Sequence, residues 1–177
     1  MSTTLAIDTS SSRTIVGLIS DDRVVFEEFH EGATDHGLAL SQLVAQALTI
    51  NSQIDAVVVG MGPGPFTGLR VGIAFAQSFA LARNIPVQGV CSLDAIEIDA
   101  SEYTVAIDAR RKEIYWATYR DGLRIDGPHV SKPEEVNGFI LGHFPSMEKL
   151  VAISLQQRVD EPLYLRRPDA VPTAERP

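Results

Sequence analysis

Short apolar runs and polar breaks alternate at the start of the chain. Leu5-Ala6-Ile7 stops at Asp8, and Arg13 to Ile19 and Arg23 to Phe29 follow, with Asp21-Asp22 between them. Runs of this length predict strands, and an aspartate pair between two of them predicts a tight hairpin. Three such strands in a row form an antiparallel meander. The period then changes. From His36 to Leu48 the residues Leu40, Leu43, Val44, Ala47 and Leu48 recur at helical spacing, with Asp35 placed as N-cap. Asp55 to Val59 is a continuous apolar run, as a buried parallel strand requires. A loop rich in glycine and proline leads into a second helix, Leu69 to Ala82, which Asn84 and Pro86 stop. Val87 to Cys91 reads as one more buried strand.

The opening pattern then returns. Thr104-Val105-Ala106-Ile107-Asp108 stands 100 residues after Thr4-Leu5-Ala6-Ile7-Asp8 and repeats four of its five residues. Ile114 to Tyr119 falls where the second strand stood, and Asp121-Gly122 where Asp21-Asp22 stood. A duplicated unit is therefore expected, three antiparallel strands followed by helix, strand, helix, strand. The second copy is poor. After Leu123-Arg124-Ile125 it offers one short helix candidate, Pro133 to Leu141, and weakly patterned segments up to Arg166-Arg167. The expected organisation is a first lobe over 1–100, a truncated second lobe over 101–167 and a disordered tail over 168–177.

Charge narrows the function. The chain has 15 Lys and Arg against 23 Asp and Glu, a net charge of −8. Such a surface repels phosphate backbones, so RNA is expected only through a complex. One cysteine, Cys91, excludes an internal disulfide and reads as a small core residue. No run approaches a membrane span and Met1-Ser2-Thr3-Thr4 carries no basic residue, so a cytoplasmic location is expected.

The densest feature is the run Gly60-Met61-Gly62-Pro63-Gly64-Pro65-Phe66-Thr67-Gly68-Leu69-Arg70-Val71-Gly72 between a strand and a helix. It is neither a Walker A loop nor a dinucleotide fingerprint. Two readings stand: a phosphate cradle at a helix N-terminus, or, the favoured one, a tight turn in which Thr67 caps the helix. Asp8 and Asp108 each end a first strand, and in a two-lobed fold both could face a central cleft and hold hydrated magnesium beside a nucleotide. The loops after them, Thr9-Ser10-Ser11-Ser12 and Ala109-Arg110-Arg111-Lys112, lack the glycine of a phosphate-gripping loop. Asp8, Thr9, Ser10, Gly62, Gly64 and Asp108 are thus candidates for the remnant of a nucleotide cleft. No metal-binding histidine pair and no nucleophile–base set is present, which ranks a protease last.

The second helix is apolar nearly all round, with only Arg70, Gln77 and Ser78 polar between Leu69 and Ala82. A shortened second lobe leaves little chain to cover it, so a partner helix is expected against it.

These residues resemble the TsaB (YeaZ) family. The resemblance rests on Leu5-Ala6-Ile7-Asp8-Thr9, on the glycine run Gly60 to Gly72, on Ile107 to Ala117 and on Glu161-Pro162-Leu163-Tyr164-Leu165-Arg166. It implies an α/β, actin-like (ribonuclease H-like) fold of duplicated lobes with mixed sheets, the second lobe shortened. It also implies a non-catalytic subunit that pairs with the catalytic paralogue TsaD and with the ATPase TsaE. That complex installs N6-threonylcarbamoyl on adenosine 37 of tRNAs reading codons that start with A. In the paralogue a metal-binding HxxxH follows the corresponding loop; here those positions are Ser92 and Ile96, which leaves no metal, cofactor or catalytic residue expected. The family's pairing through the first two helices points to Leu40, Leu43, Val44, Ala47, Arg70, Ile73, Ala76, Gln77 and Ala80 as the partner interface, with a homodimer expected as the alternative in isolation. The rival reading is an actin-like ATPase or kinase.

Overall fold

A computed structural model describes residues 2–166 of the chain; the tail expected to be disordered, 168–177, lies outside them, as does Arg167. The meander forms as the pattern predicts. Strands β1 (Thr3–Asp8), β2 (Arg13–Ser20) and β3 (Arg23–Glu31) pair antiparallel. Helix α1 (His36–Ile50), strand β4 (Ala56–Gly60), helix α2 (Phe66–Arg83) and strand β5 (Val87–Val90) follow. β4 lies parallel to β1 and β5 parallel to β4, giving the order β3-β2-β1-β4-β5. Asp21 and Asp22 both have positive φ, the geometry of a type I′ turn whose twist suits a hairpin.

The second sheet repeats this order. Strands β6 (Glu102–Asp108), β7 (Ile114–Arg120) and β8 (Leu123–Ser131) form another meander, and the two-residue strand β9 (Phe139–Ile140) adds parallel to β6. The order β8-β7-β6-β9 is that of the first sheet without its fifth strand. Asp121 and Gly122 turn the hairpin with the same positive φ. Each first strand ends alike: Asp8 accepts the Ser10 amide (2.9 Å) and Asp108 the Arg110 amide (3.0 Å). The duplication is structural, and the fold is the actin-like, ribonuclease H-like α/β arrangement.

The helix expected over Pro133 to Leu141 is not there. A single 3₁₀ turn, Pro133–Glu135, and strand β9 take its place. A three-residue link to Gly138, in the left-handed region, leaves no room for helical turns. The missing helical material appears later as α3 (Met147–Ser154), capped by Ser146, whose hydroxyl accepts the Lys149 amide (3.3 Å). This short helix leaves its own half of the chain and packs on the first sheet, where Met147 and Leu150 meet Ala6, Ile15, Ile19, Val58 and Val90. The opposite face of that sheet carries α1 and α2 over Leu5, Ile7, Val16, Leu18, Val57 and Val59. The first sheet is thus covered on both sides, a three-layer sandwich.

Two devices join the halves. Asp94, in a 3₁₀ turn after β5, accepts the Tyr119 hydroxyl (2.8 Å) and pairs with Arg124. The last described segment bonds to both halves: the Val159 amide donates to Gly89 O (2.9 Å), the Leu163 amide to Met61 O (2.8 Å), and Arg166 pairs with Glu113. Among the described residues no helix is long and apolar enough to cross a membrane.

Candidate docking face and inter-lobe cleft

The glycine run owes its composition to close packing. After β4 the chain turns at Gly62, whose φ of 89° an L side chain resists, and α2 begins at Phe66, behind Pro65. Gly64, Gly68 and Gly72 then face one way, at a spacing of four. The loop Asp8–Ser10 lies on that stripe. A Cβ on Gly64 would strike the Ser10 backbone, and one on Gly72 would strike the Thr9 hydroxyl. The hydroxyl donates to Gly68 O (2.8 Å) and accepts the Gly72 amide (3.1 Å), bridging two groups that face each other along one helical turn. The expectation that Thr67 caps the helix fails: no side-chain cap forms and Thr67 is exposed.

Asp8 sits beneath this lock, fully buried. Its Oδ1 accepts the amide and the hydroxyl of Ser10 (2.9 and 2.7 Å), while Oδ2 is enclosed without an aligned hydrogen bond. Burial raises its pKa, and the opposing hydrogen bonds from the Ser92 and Ser10 hydroxyls and the Ser10 amide do not cancel that. A carboxyl so placed does not fit a divalent cation, which needs charged, reachable oxygens. Asp108 is exposed and, among the described residues, pairs with Arg110 (3.9 Å).

The two aspartates therefore do not share a cleft, contrary to the expectation. Among the described residues one cavity between the lobes, about 170 Å³, is lined by Asp108, Arg110, Ser11, Ser12, Pro65 and His143 among others, and not by Asp8. Sites for nucleotide-sized ligands run from roughly 300 Å³ upward. Thr9, Ser10, Gly62 and Gly64 are buried in the lock. Ser92, in the first of the two positions matched to the paralogue's metal ligands, accepts the Gly62 amide (3.2 Å), and Ile96, in the second, lies in the second sheet's core. Burial pushes the Cys91 thiol up to about 12, as an unreactive core residue requires.

Asp8 gives a test by pH. Because its folded pKa lies above the unfolded one, the folded state holds the proton more tightly; stability is fullest below the unfolded pKa and falls as pH rises toward the folded value. Asp8→Asn carries no such proton and keeps the oxygen that accepts from Ser10. Chemical denaturation at pH 7.5 should find it more stable than the parent by on the order of 1 kcal/mol, because the neutral amide spares the fold an enclosed carboxylate charge. A difference that vanishes at low pH completes the signature.

The helical interface needs a correction. Leu40, Leu43, Val44 and Ala47 of α1 and Ile73, Ala76 and Ala80 of α2 lie in the first sheet's own core and present nothing to a partner. Arg70 and Gln77 are exposed. The apolar stripe read as outward faces inward, over β1, β2 and β4. The outward stripe of α2 is Phe66, Arg70, Ala74, Gln77, Ser78 and Leu81. Leu81 is 84% and Phe66 44% exposed, and on α1 Leu38 is 66% exposed. One sequence signal points to the inward face: the small residues Gly64, Gly68, Gly72, Ala76 and Ala80 repeat every four positions, as close packing requires.

The chain matches known proteins over the same elements. A family model, TsaD: tRNA N6-adenosine threonylcarbamoyltransferase, matches residues 31–167. An uncharacterised protein of Mycobacterium tuberculosis is 39% identical over 203 positions, covering 98% of this chain and 96% of the relative. Those 203 positions exceed the 177 residues of this chain, so the relative carries residues that this chain lacks. An uncharacterised protein of Mycobacterium leprae is 41% identical over 97% of this chain, and the tRNA threonylcarbamoyladenosine biosynthesis protein TsaB of Escherichia coli is 36% identical over 66% of it. The chain spans 57% and 54% of the length of these two. A crystal structure described as similar to the peptidase YEAZ from Pseudomonas aeruginosa superposes with a TM-score of 0.79 at 27% identity, over 94% of this chain and all of that one. YeaZ from Pseudomonas aeruginosa gives 0.70 at 27% identity, over 87% and 91%. With its doubled sheet, its glycine lock and a family match over three quarters of its length, the chain belongs to the TsaD family and, within it, to the TsaB (YeaZ) group.

Proposed function

We propose that this chain is a non-catalytic subunit of the machinery that makes tRNA threonylcarbamoyladenosine, and that it docks a TsaD-type catalytic paralogue through the outward face of α1 and α2. The observation that carries this reading is α2 itself. Its inner face is packed, yet its outer face keeps Leu81 and Phe66 exposed around small residues, Ala74 and Ser78. Exposed apolar side chains set among small ones suit a helix laid alongside. The chain supplies no reacting group in this reading. The paralogue carries the transfer to N6 of adenosine 37, a TsaE-type ATPase completes the assembly in the cytoplasm, and tRNA is met within the complex. In isolation the same face serves pairing with a second copy.

The rival reading, an actin-like ATPase or kinase, is disfavoured by the enclosed Asp8. Size-exclusion chromatography of the chain mixed with the TsaD-type protein of the same host tests the proposal. Co-elution is expected. Two separate peaks with and without ATP and magnesium would overturn it, and a heat of ATP binding to this chain alone would favour the rival.

A further inference from the structure

The two helices of the docking face are almost without charge. Helix α1, 15 residues long, holds no Asp, Glu, Lys or Arg. Helix α2, 18 residues long, holds only Arg70 and Arg83, in a chain of which 21% is charged. Depletion of charge marks the buried centre of an interface, so a charge kept there calls for a reason. Arg83 has one within the chain. It stands in the last turn of α2, where a helix favours a cation, and donates to Ser52 O (2.7 Å).

Arg70 has no such use. It is exposed in the outward stripe, towards the end of the helix where the backbone favours anions. Among the described residues it forms no ion pair; its guanidinium carbon stands 5.1 Å from the centroid of the Phe66 ring. That ring is held in turn by Tyr164, whose ring centre lies 5.0 Å away. An aromatic face attracts a guanidinium and restricts where it points, but leaves its N–H donors unmatched. A fork of donors held in this way fits a carboxylate, and holding it beforehand lowers the cost of ordering it on binding.

A second copy does not supply that carboxylate from the same face. Two-fold pairing sets α1 and α2 against another α1 and α2, and neither helix holds an acid. The acids that flank α1 are engaged within the chain: Asp35 by His30 (2.8 Å) and Asp55 by the Thr3 amide (2.7 Å). We propose that Arg70 selects the partner: the docking face takes a helix that presents an Asp or Glu to Arg70, in preference to a second copy. This deepens the docking reading above and rests on it. Between two helices Arg70 loses water, so a carboxylate opposite it favours association, while a neutral or basic residue there leaves a desolvated charge. One residue thereby separates the two kinds of partner.

The test uses Arg70→Gln, Arg70→Glu and a control, Arg23→Glu, which reverses an exposed charge on β3. Binding to the TsaD-type paralogue of the same host is measured by calorimetry at low and high salt, and self-association by sedimentation. Arg70→Gln should bind the paralogue about tenfold more weakly and Arg70→Glu about 100-fold or more. Arg70→Gln should also lose most of the parent's salt dependence. Its self-association should not weaken, since no carboxylate is lost there. The control should stay within about twofold of the parent. Arg70→Lys supplies a second readout: a carbodiimide, which joins an amine to a carboxylate in contact with it, should link that position to an Asp or Glu of the paralogue. Unchanged paralogue binding in both the Gln and Glu variants overturns the proposal. So does an equal weakening of self-association and paralogue binding, and so does a link to no acid of the paralogue. The docking reading fails separately, if the parent does not bind the paralogue or if Ala74→Glu binds it as tightly as the parent. Binding that survives the Arg70 variants but not Ala74→Glu removes this proposal and leaves the docking reading standing.

Discussion

Ala76→Glu should unfold the protein, whereas Ala74→Glu should leave it folded and unable to pair. Ala76 is fully buried between α2 and the first sheet, among Leu5, Ile7, Leu69 and Ile73. A carboxylate there has no water and no cation, and the added volume has no space. The combined cost is about 4 kcal/mol or more, a large share of the 5–15 kcal/mol that holds a typical domain. Ala74, two residues earlier, lies in the outward stripe with Arg70 and Leu81. Glutamate there is solvated and helix-compatible, and its cost to the monomer is within about 0.5 kcal/mol. At the centre of a helix-on-helix interface the same charge is desolvated and should weaken association by 100-fold or more. Thermal denaturation and size-exclusion chromatography of both variants with the TsaD-type partner check the pair. Equal stability of the two would mean that the inward and outward faces of α2 are wrongly assigned.

Gly72→Ala should cost about 2–3 kcal/mol, although alanine is the better helix former by about 1 kcal/mol in an open helix. The new methyl meets the Thr9 hydroxyl, which is itself held by Gly68 O and the Gly72 amide. Either α2 moves off the loop or Thr9 leaves its two hydrogen bonds. Thr9→Val keeps the shape and removes the bridge, and should cost about 1 kcal/mol for the hydrogen bonds lost. Denaturant unfolding of the single and double variants reads their coupling. Since both act on one contact, the double variant should cost less than the two added together. Strict additivity would show that the loop and the helix are not locked here.

Both predictions turn on a question of direction that local pattern does not answer. The helical period of α2 is plain in Leu69, Ile73, Ala76 and Ala80, and it identifies one stripe. Whether that stripe meets the chain's own sheet or a partner depends on where the sheet lies. Composition alone points to more apolar surface than one chain covers. The structure resolves this through the loop Asp8–Ser10, which occupies the glycine stripe and so fixes which side is inner. The glycines reflect close backbone approach rather than a phosphate cradle, and a string of glycines is the same in either case.

Period, turn chemistry and motif are local properties of the chain, and they suffice for the repeated meander, the two hairpin turns, the first two helices and the likeness to the TsaB group. The folded arrangement supplies the rest. It sent the two-turn helix Met147–Ser154 to the far face of the first sheet, whose uncovered residues Ala6, Ile15 and Val58 needed a lid that their own half did not supply. It enclosed Asp8 and left Asp108 in water, though both end equivalent strands, because only the first is roofed by a glycine run. It joined two basic segments 56 residues apart. Burial and long-range pairing arise from contacts between distant segments, and a pattern read a few residues at a time holds no term for them.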